Sequence, residues 1–83
     1  MQDQDVTDAC LIVLRSLRRD LAFNVIMGKQ IAYIRAQYLK HLYMLTQIEA
    51  GMNWEKAEID YNESYWVTHS RQLEAAVRKY WTE

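Results

Sequence analysis

The sequence predicts an all-α fold, a small three-helix bundle built from antiparallel helical hairpins. The chain has 83 residues, no proline and two glycines, which leaves few of the sharp turns that a many-stranded β fold needs. Apolar residues recur every three or four positions over long stretches, which is the spacing of one helix face. A chain of this length forms one domain. We therefore predict a single helical domain over residues 1–83.

The first predicted helix begins near Thr7. Its apolar face comprises Cys10, Leu14, Leu17, Leu21 and Val25. Acidic residues around Thr7 are typical of a first helical turn, because they complement the positive end of the helix dipole. The run ACLIVL at 9–14 is apolar on every side of the helix. We expect this run to be covered on two faces, by its own domain and by a partner.

The second predicted helix has a similar face. It comprises Ile31, Ile34, Tyr38, Leu42, Leu45 and Ile48. Between the two helices, Asn24 and Gly28 are the candidates for a break. We favour a turn within 24–29, because an unbroken helix over 7–49 would have no segment long enough to cover its stripe. A continuous helix stays open as the alternative, since an isolated glycine costs only about 1 kcal/mol relative to alanine.

The stretch EAGMNWEKAE, residues 49–58, predicts the tightest corner of the chain. Gly51 stands where a residue with a left-handed backbone would end a helix, and Asn53 stands where an N-cap would begin the next. A third helix is then predicted from Trp54 to Trp81. Its apolar face comprises Tyr61, Tyr65 or Trp66, His69, Leu73, Val77 and Tyr80. Its weakest part is 61–64, a region of poor helix formers where we expect a kink or a short loop.

Charge is unevenly distributed along a chain whose net charge is −1. Residues 9–48 are strongly basic, whereas residues 1–8 and 49–63 are acidic. One interpretation is that the basic hairpin pairs internally with the acidic segment. The other is that the two regions form a bipolar docking surface, which would orient a partner and speed its association.

The composition also narrows the class of protein. A single cysteine excludes an internal disulfide framework and favours a reducing compartment. The first eight residues carry three acids, unlike a signal peptide, and the longest apolar run is too short to span a bilayer. We therefore expect a cytoplasmic protein with no membrane association.

No pattern in the sequence predicts catalysis. His41 and His69 are not at a spacing that places two metal ligands on one helical turn. Cys10 lies in an apolar run, where burial makes a thiol unreactive. Phosphate-binding loops and nucleophile elbows are missing from the sequence. We predict no enzymatic activity, no cofactor and no metal site.

Aromatic and arginine side chains predict a protein-binding surface, because these residue types are enriched at interface hot spots. Adjacent aromatics point about 100° apart on a helix, so one of each pair lies off the core. The predicted partner-binding residues are Arg15, Arg18, Arg19, Trp54, Tyr65, Trp66, Tyr80 and Trp81. Leu11 or Ile12, and Tyr80 or Trp81, are expected to be left at the surface of a monomer and to form a homodimer patch.

The function predicted from these features is a non-enzymatic protein–protein interaction module that self-associates. Small size and compactness suggest an analogy with bacterial or phage accessory proteins such as inhibitors, adaptors and assembly factors. A small nucleic-acid-binding or regulatory protein is the alternative, with the arginines of the first hairpin contacting phosphates. A third hypothesis is a ligand- or metal-binding bundle that uses His41 and His69.

Overall fold

Two long helices form an antiparallel hairpin in the computed structural model, which describes residues 3–22 and 29–81. Helix α1 spans Asp3–Ala22 and α2 spans Lys29–Glu49. The Cys10 thiol donates a hydrogen bond to the His41 carbonyl over 3.4 Å. Further along α1, Arg18 lies beside Tyr38, which comes earlier in α2, so the two helices run in opposite directions. The turn predicted within 24–29 falls on residues 23–28, which lie outside the described residues.

The corner after α2 confirms the prediction for Gly51 and Asn53. Gly51 has a φ of 95°, and its N–H donates to the Ile48 carbonyl over 3.0 Å. The Met52 N–H donates to the Gln47 carbonyl over 2.9 Å, which completes a Schellman motif. The Asn53 side chain then accepts hydrogen bonds from the backbone N–H groups of Glu55 and Lys56 in the first turn of α3. The hydrogen bonds that end α2 and begin α3 thus lie within ten residues, 47–56.

The helices α1 and α2 form the first two layers of the bundle, and residues 54–81 form the third. This third layer is segmented, which corrects the prediction of one helix from 54 to 81. Its elements are α3 (Trp54–Asp60), α4 (Glu63–Thr68), α5 (Ser70–Ala76) and a 3₁₀ turn at Arg78–Trp81. The first break occurs in the segment predicted to be weak. Tyr61 and Asn62 have extended backbones there, and the Asn62 side chain accepts from the Tyr65 N–H over 3.1 Å. An asparagine that caps a new helix competes with continuation of the old one.

The core joins all three layers. Its fully buried large side chains are Leu14, Leu42, Leu45 and Val77. Beside them, Tyr43 contacts Tyr61 and Trp66, with ring centroids 5.5 and 5.4 Å apart. Such tilted aromatic pairs add to the free energy of area burial. The described residues therefore form an all-α bundle, as the sequence predicts.

Polar contacts tie α2 to the third layer. Lys40 pairs with Glu58 of α3 over 3.2 Å. At least one residue of the basic segment 9–48 therefore forms an internal ion pair with the acidic segment 49–63. Glu49 at the end of α2 accepts from Lys79 over 2.7 Å and from the Tyr80 hydroxyl over 2.9 Å. Within 3–22 and 29–81, every helix lacks the length of apolar sequence that crossing a bilayer requires.

Candidate protein interaction surface

An apolar groove of about 440 Å³ opens between the N-terminal half of α1, the C-terminal half of α2 and the start of α3. We call it the α1–α2 groove. Its apolar lining residues are Val6, Ala9, Cys10, Val13, Met44, Ile48 and Trp54, and Asp5 and His41 also line it. Trp54 is 37% exposed and Val13 is 39% exposed. The groove is thus an accessible apolar surface among the described residues.

The solvent face of α1 adjoins this groove. Ile12 is 66% exposed at the centre of that face, whereas its neighbour Leu11 is buried at 7%. The prediction that Leu11 or Ile12 would be left at the surface is therefore confirmed, with Ile12 as the exposed residue. At about 100° per residue, Ile12 points away from Cys10 and Leu14, which face the core.

Charged side chains flank Ile12 along the same face. Asp5 and Asp8 are exposed on the N-terminal side, and Arg15 and Arg19 are exposed on the C-terminal side. The Asp8 carboxylate accepts a hydrogen bond from Gln4 over 2.8 Å. The solvent face of α1 therefore has an acidic half and a basic half, separated by an apolar side chain.

The three arginines predicted to bind a partner share one surface but have different surroundings. Arg15, Arg18 and Arg19 surround a shallow depression beside Ala22. The guanidinium carbon of Arg18 lies 4.8 Å from the centre of the Trp81 ring. Arg18 therefore contacts the C-terminal 3₁₀ turn, while Arg15 and Arg19 lie on the solvent face around Ile12.

The predicted aromatic residues do not form one patch. Trp54 lines the α1–α2 groove. Tyr65 is 46% exposed and stacks on His69 with ring centroids 4.0 Å apart, while Trp66 turns inward and packs against the core. The expectation of one peripheral residue in this pair therefore holds for Tyr65.

The last aromatic pair differs from expectation. Tyr80 and Trp81 are both half-buried and both pack against the core, so neither is left at the surface. The reason is that the chain leaves the α-helix at Val77 and enters a 3₁₀ turn. The changed geometry places Tyr80 over Glu49 and Trp81 under Arg18.

Cys10 and His41 both line the groove, yet they are not arranged as a nucleophile and base. The thiol contacts the backbone carbonyl of His41, and the imidazole Nδ1 donates to the Gln37 carbonyl over 2.8 Å. Burial raises the pKa of the Cys10 thiol to about 11.

His69 lies between α4 and α5, where its Nδ1 donates a hydrogen bond to the Tyr65 carbonyl over 2.8 Å. Among the described residues, histidine, cysteine and acidic side chains form no cluster that could hold a metal ion.

Sequence reasoning missed most of the groove lining. Val13 was expected only as part of the apolar run at 9–14 and Ile48 only on the apolar face of the second helix, while Val6 and Met44 were assigned no role. The available signal was the apolar run at 9–14, which has more apolar sides than one core contact can cover.

Comparison with known proteins adds no family or structural relative: the chain matches no protein-family model, no curated protein and no solved structure.

Proposed function

We propose that this chain is a non-enzymatic protein-binding module that self-associates through the solvent face of α1. The exposed Ile12 at the centre of that face, next to the α1–α2 groove, is the observation that carries the proposal. Burying an isoleucine side chain contributes about 1.5–3 kcal/mol. In a twofold dimer each contact occurs twice, so one exposed isoleucine counts for both copies.

Charge supports a second copy of the chain as the occupant of this surface. The acidic half of the face, with Asp5 and Asp8, and the basic half, with Arg15 and Arg19, are complementary to each other. A face with this distribution matches its own reverse, which is the requirement for an isologous contact. An unrelated partner would need to supply the same distribution independently.

The groove supports binding over catalysis. Its lining is almost wholly apolar. The Cys10 thiol and the His41 imidazole each donate a hydrogen bond to a backbone carbonyl. We propose that the chain acts as an inhibitor, adaptor or assembly factor, by analogy with other small accessory proteins. A cytoplasmic location would keep its single thiol reduced.

Sedimentation velocity tests this function. The apparent mass should rise from 9.9 kDa toward twice that value when two samples about a hundredfold apart in concentration are compared. Ile12→Gln should weaken the dimer by about tenfold or more, because it removes apolar burial at the centre of the contact. Ile59→Gln is the matched control, since Ile59 is 82% exposed on α3 and should have no effect.

Two results would contradict the proposal. The first is a monomer at every concentration. The second is tight binding of a fluorescent oligonucleotide, with an affinity that falls steeply as salt is added, by a chain in which Ile12→Gln has no effect. That outcome would favour the nucleic-acid alternative, because phosphate contacts release counterions.

A further inference from the structure

We propose that two copies associate with their α1 helices antiparallel about a twofold axis at Ile12, with Asp5 of each copy paired with Arg19 of the other. The inference rests on the proposed self-association and specifies its geometry. It names a register, a direction and a pair of side chains.

The spacing of these residues along α1 defines the stripe. Asp5 and Arg19 each lie seven residues from Ile12, on opposite sides. Seven residues in a helix return to within about 20° of the same direction and advance about 10 Å. Asp5, Ile12 and Arg19 therefore point the same way, and all three are exposed. The core residues Leu14 and Leu21 lie on the opposite side of the helix.

A twofold axis perpendicular to α1 at Ile12 places each residue opposite the one equally far on the other side. Asp5 then faces Arg19 of the second copy, and Ile12 faces Ile12. Ala9 comes within one residue of the position that faces Ser16, and Ala9 and Ser16 lie on the same side of the stripe. These short side chains, both on one side of the stripe, allow the two helix backbones to approach closely. On the other side, Asp8 comes within one residue of the position that faces Arg15.

The charges select the antiparallel direction. In a parallel pair with Ile12 on Ile12, each copy would place Asp5 against Asp5 and Arg19 against Arg19, and like charges in contact oppose association. In the antiparallel pair both contacts become attractive. Each Asp5–Arg19 pair is partly exposed and contributes modestly to the free energy of association, but symmetry doubles this contribution. Repulsion in the parallel pair further increases the difference in free energy between the two arrangements.

Reciprocal charge reversal tests this register. Asp5→Arg alone places Arg against Arg in both symmetric contacts, and Arg19→Asp alone places Asp against Asp. Each variant alone should dimerise about tenfold or more weakly than the native chain at low ionic strength, where screening is weak. Mixed in equal amounts, the two variants should form a heterodimer, because both contacts then join opposite charges. The double variant Asp5→Arg with Arg19→Asp should dimerise like the native chain.

Matched controls use Glu63→Arg in the first turn of α4 and Arg71→Asp in α5, both exposed positions off the stripe. Neither should change the dimer. Circular dichroism establishes that each variant is folded. As a readout that needs no charge change, Ile12→Cys should form a disulfide-linked dimer under mild oxidation, since a residue on a twofold axis meets its own copy. Ile59→Cys should link far more slowly.

The outcomes separate this register from self-association itself. A native chain that is monomeric at all concentrations overturns both. The antiparallel register is overturned if the native chain dimerises but Asp5→Arg and Arg19→Asp leave the affinity unchanged, no heterodimer is preferred on mixing, and Ile12→Cys does not link rapidly. Self-association would then use another part of the surface. Heterodimer formation on mixing together with the Ile12→Cys link supports the register.

Discussion

The guanidinium carbon of Arg18 lies 4.8 Å from the centre of the Trp81 ring, so an early residue of the chain covers one of the last. The contact joins α1 to the 3₁₀ turn at Arg78–Trp81. A cation over an indole face is favourable because of the ring quadrupole. Trp81 also packs against the core, so Arg18 covers one part of a half-buried ring.

Removing this cation tests its contribution to folding. Arg18→Ala should lower the free energy of unfolding by about 0.5–1 kcal/mol, measured by urea denaturation at a concentration where the chain is monomeric. Arg71→Ala, at an exposed position in α5, is the control and should change stability less. Equal effects from the two changes would show that the Arg18–Trp81 contact contributes nothing specific.

The corner at Gly51 gives a second test. Gly51 has a φ of 95° with no heavy atom within 4 Å of where a Cβ would lie, so a side chain is opposed by the backbone conformation and not by a clash. Gly51→Ala should destabilise the fold by about 1 kcal/mol. Gly51→Asn should cost less, since asparagine tolerates positive φ better. An unchanged melting curve for Gly51→Ala would refute the left-handed corner.

Two tyrosine hydroxyls should respond differently to deletion. The Tyr61 hydroxyl is buried without a hydrogen-bond partner among the described residues, and burial raises its pKa. The Tyr80 hydroxyl donates to Glu49 over 2.9 Å. Tyr61→Phe should leave stability unchanged or raise it by up to about 1 kcal/mol, whereas Tyr80→Phe should lower it by about 0.5–1 kcal/mol. Thermal melts of both variants in parallel check which of them is more stable. A less stable Tyr61→Phe would contradict the unpartnered Tyr61 hydroxyl and the Tyr80–Glu49 hydrogen bond.

Ionisation of Cys10 should make stability depend on pH in alkaline solution. Burial raises the pKa of its thiol from 9.0 to about 11. Because the pKa is higher in the folded chain than in the unfolded chain, the protonated thiol contributes to the free energy of unfolding. This contribution is fully present below pH 9 and is lost as the pH rises toward about 11. The loss should reach about 2–3 kcal/mol.

The matched variant is Cys10→Ala, which removes the thiol. Urea denaturation of both chains between about pH 8 and 11 should show the native chain losing stability faster than the variant. The constant effect of the smaller side chain cancels in this comparison of slopes. Parallel curves would mean that the thiol ionises in the folded chain as it does in the unfolded one.

Local signals in the sequence predicted the all-α class and the corner at Gly51–Asn53. The hydrogen bonds of that corner lie within ten residues, from the Gln47 carbonyl to the Lys56 N–H, so their donors and acceptors can be identified from neighbouring positions. The exposure of one residue of the pair Leu11 and Ile12 was predicted for a similar reason, because a helix has one side toward its own core and the run at 9–14 is apolar on all sides.

Long-range relationships were not predictable in the same way. The division of the third layer depends on Asn62 acting as a cap, and on packing of Tyr61 and Trp66 against Tyr43. Propensity alone suggested a weak point without deciding whether the helix would bend or stop. The change to a 3₁₀ turn after Val77, which packs the half-buried Tyr80 and Trp81 against the core, had no local signal.

By itself, the sequence determined the helical class, the apolar face of each long helix, the Gly51 corner and the order of acidic and basic residues along α1. Each of these depends on residues within a few helical turns, where periodicity, capping and backbone conformation act. Only the tertiary structure decided that Val6 and Val13 meet Met44, Ile48 and Trp54 in one groove, and that Arg18 covers Trp81. Those contacts join residues up to 63 positions apart, and their free energy depends on how three helical layers pack, a property that no single segment contains.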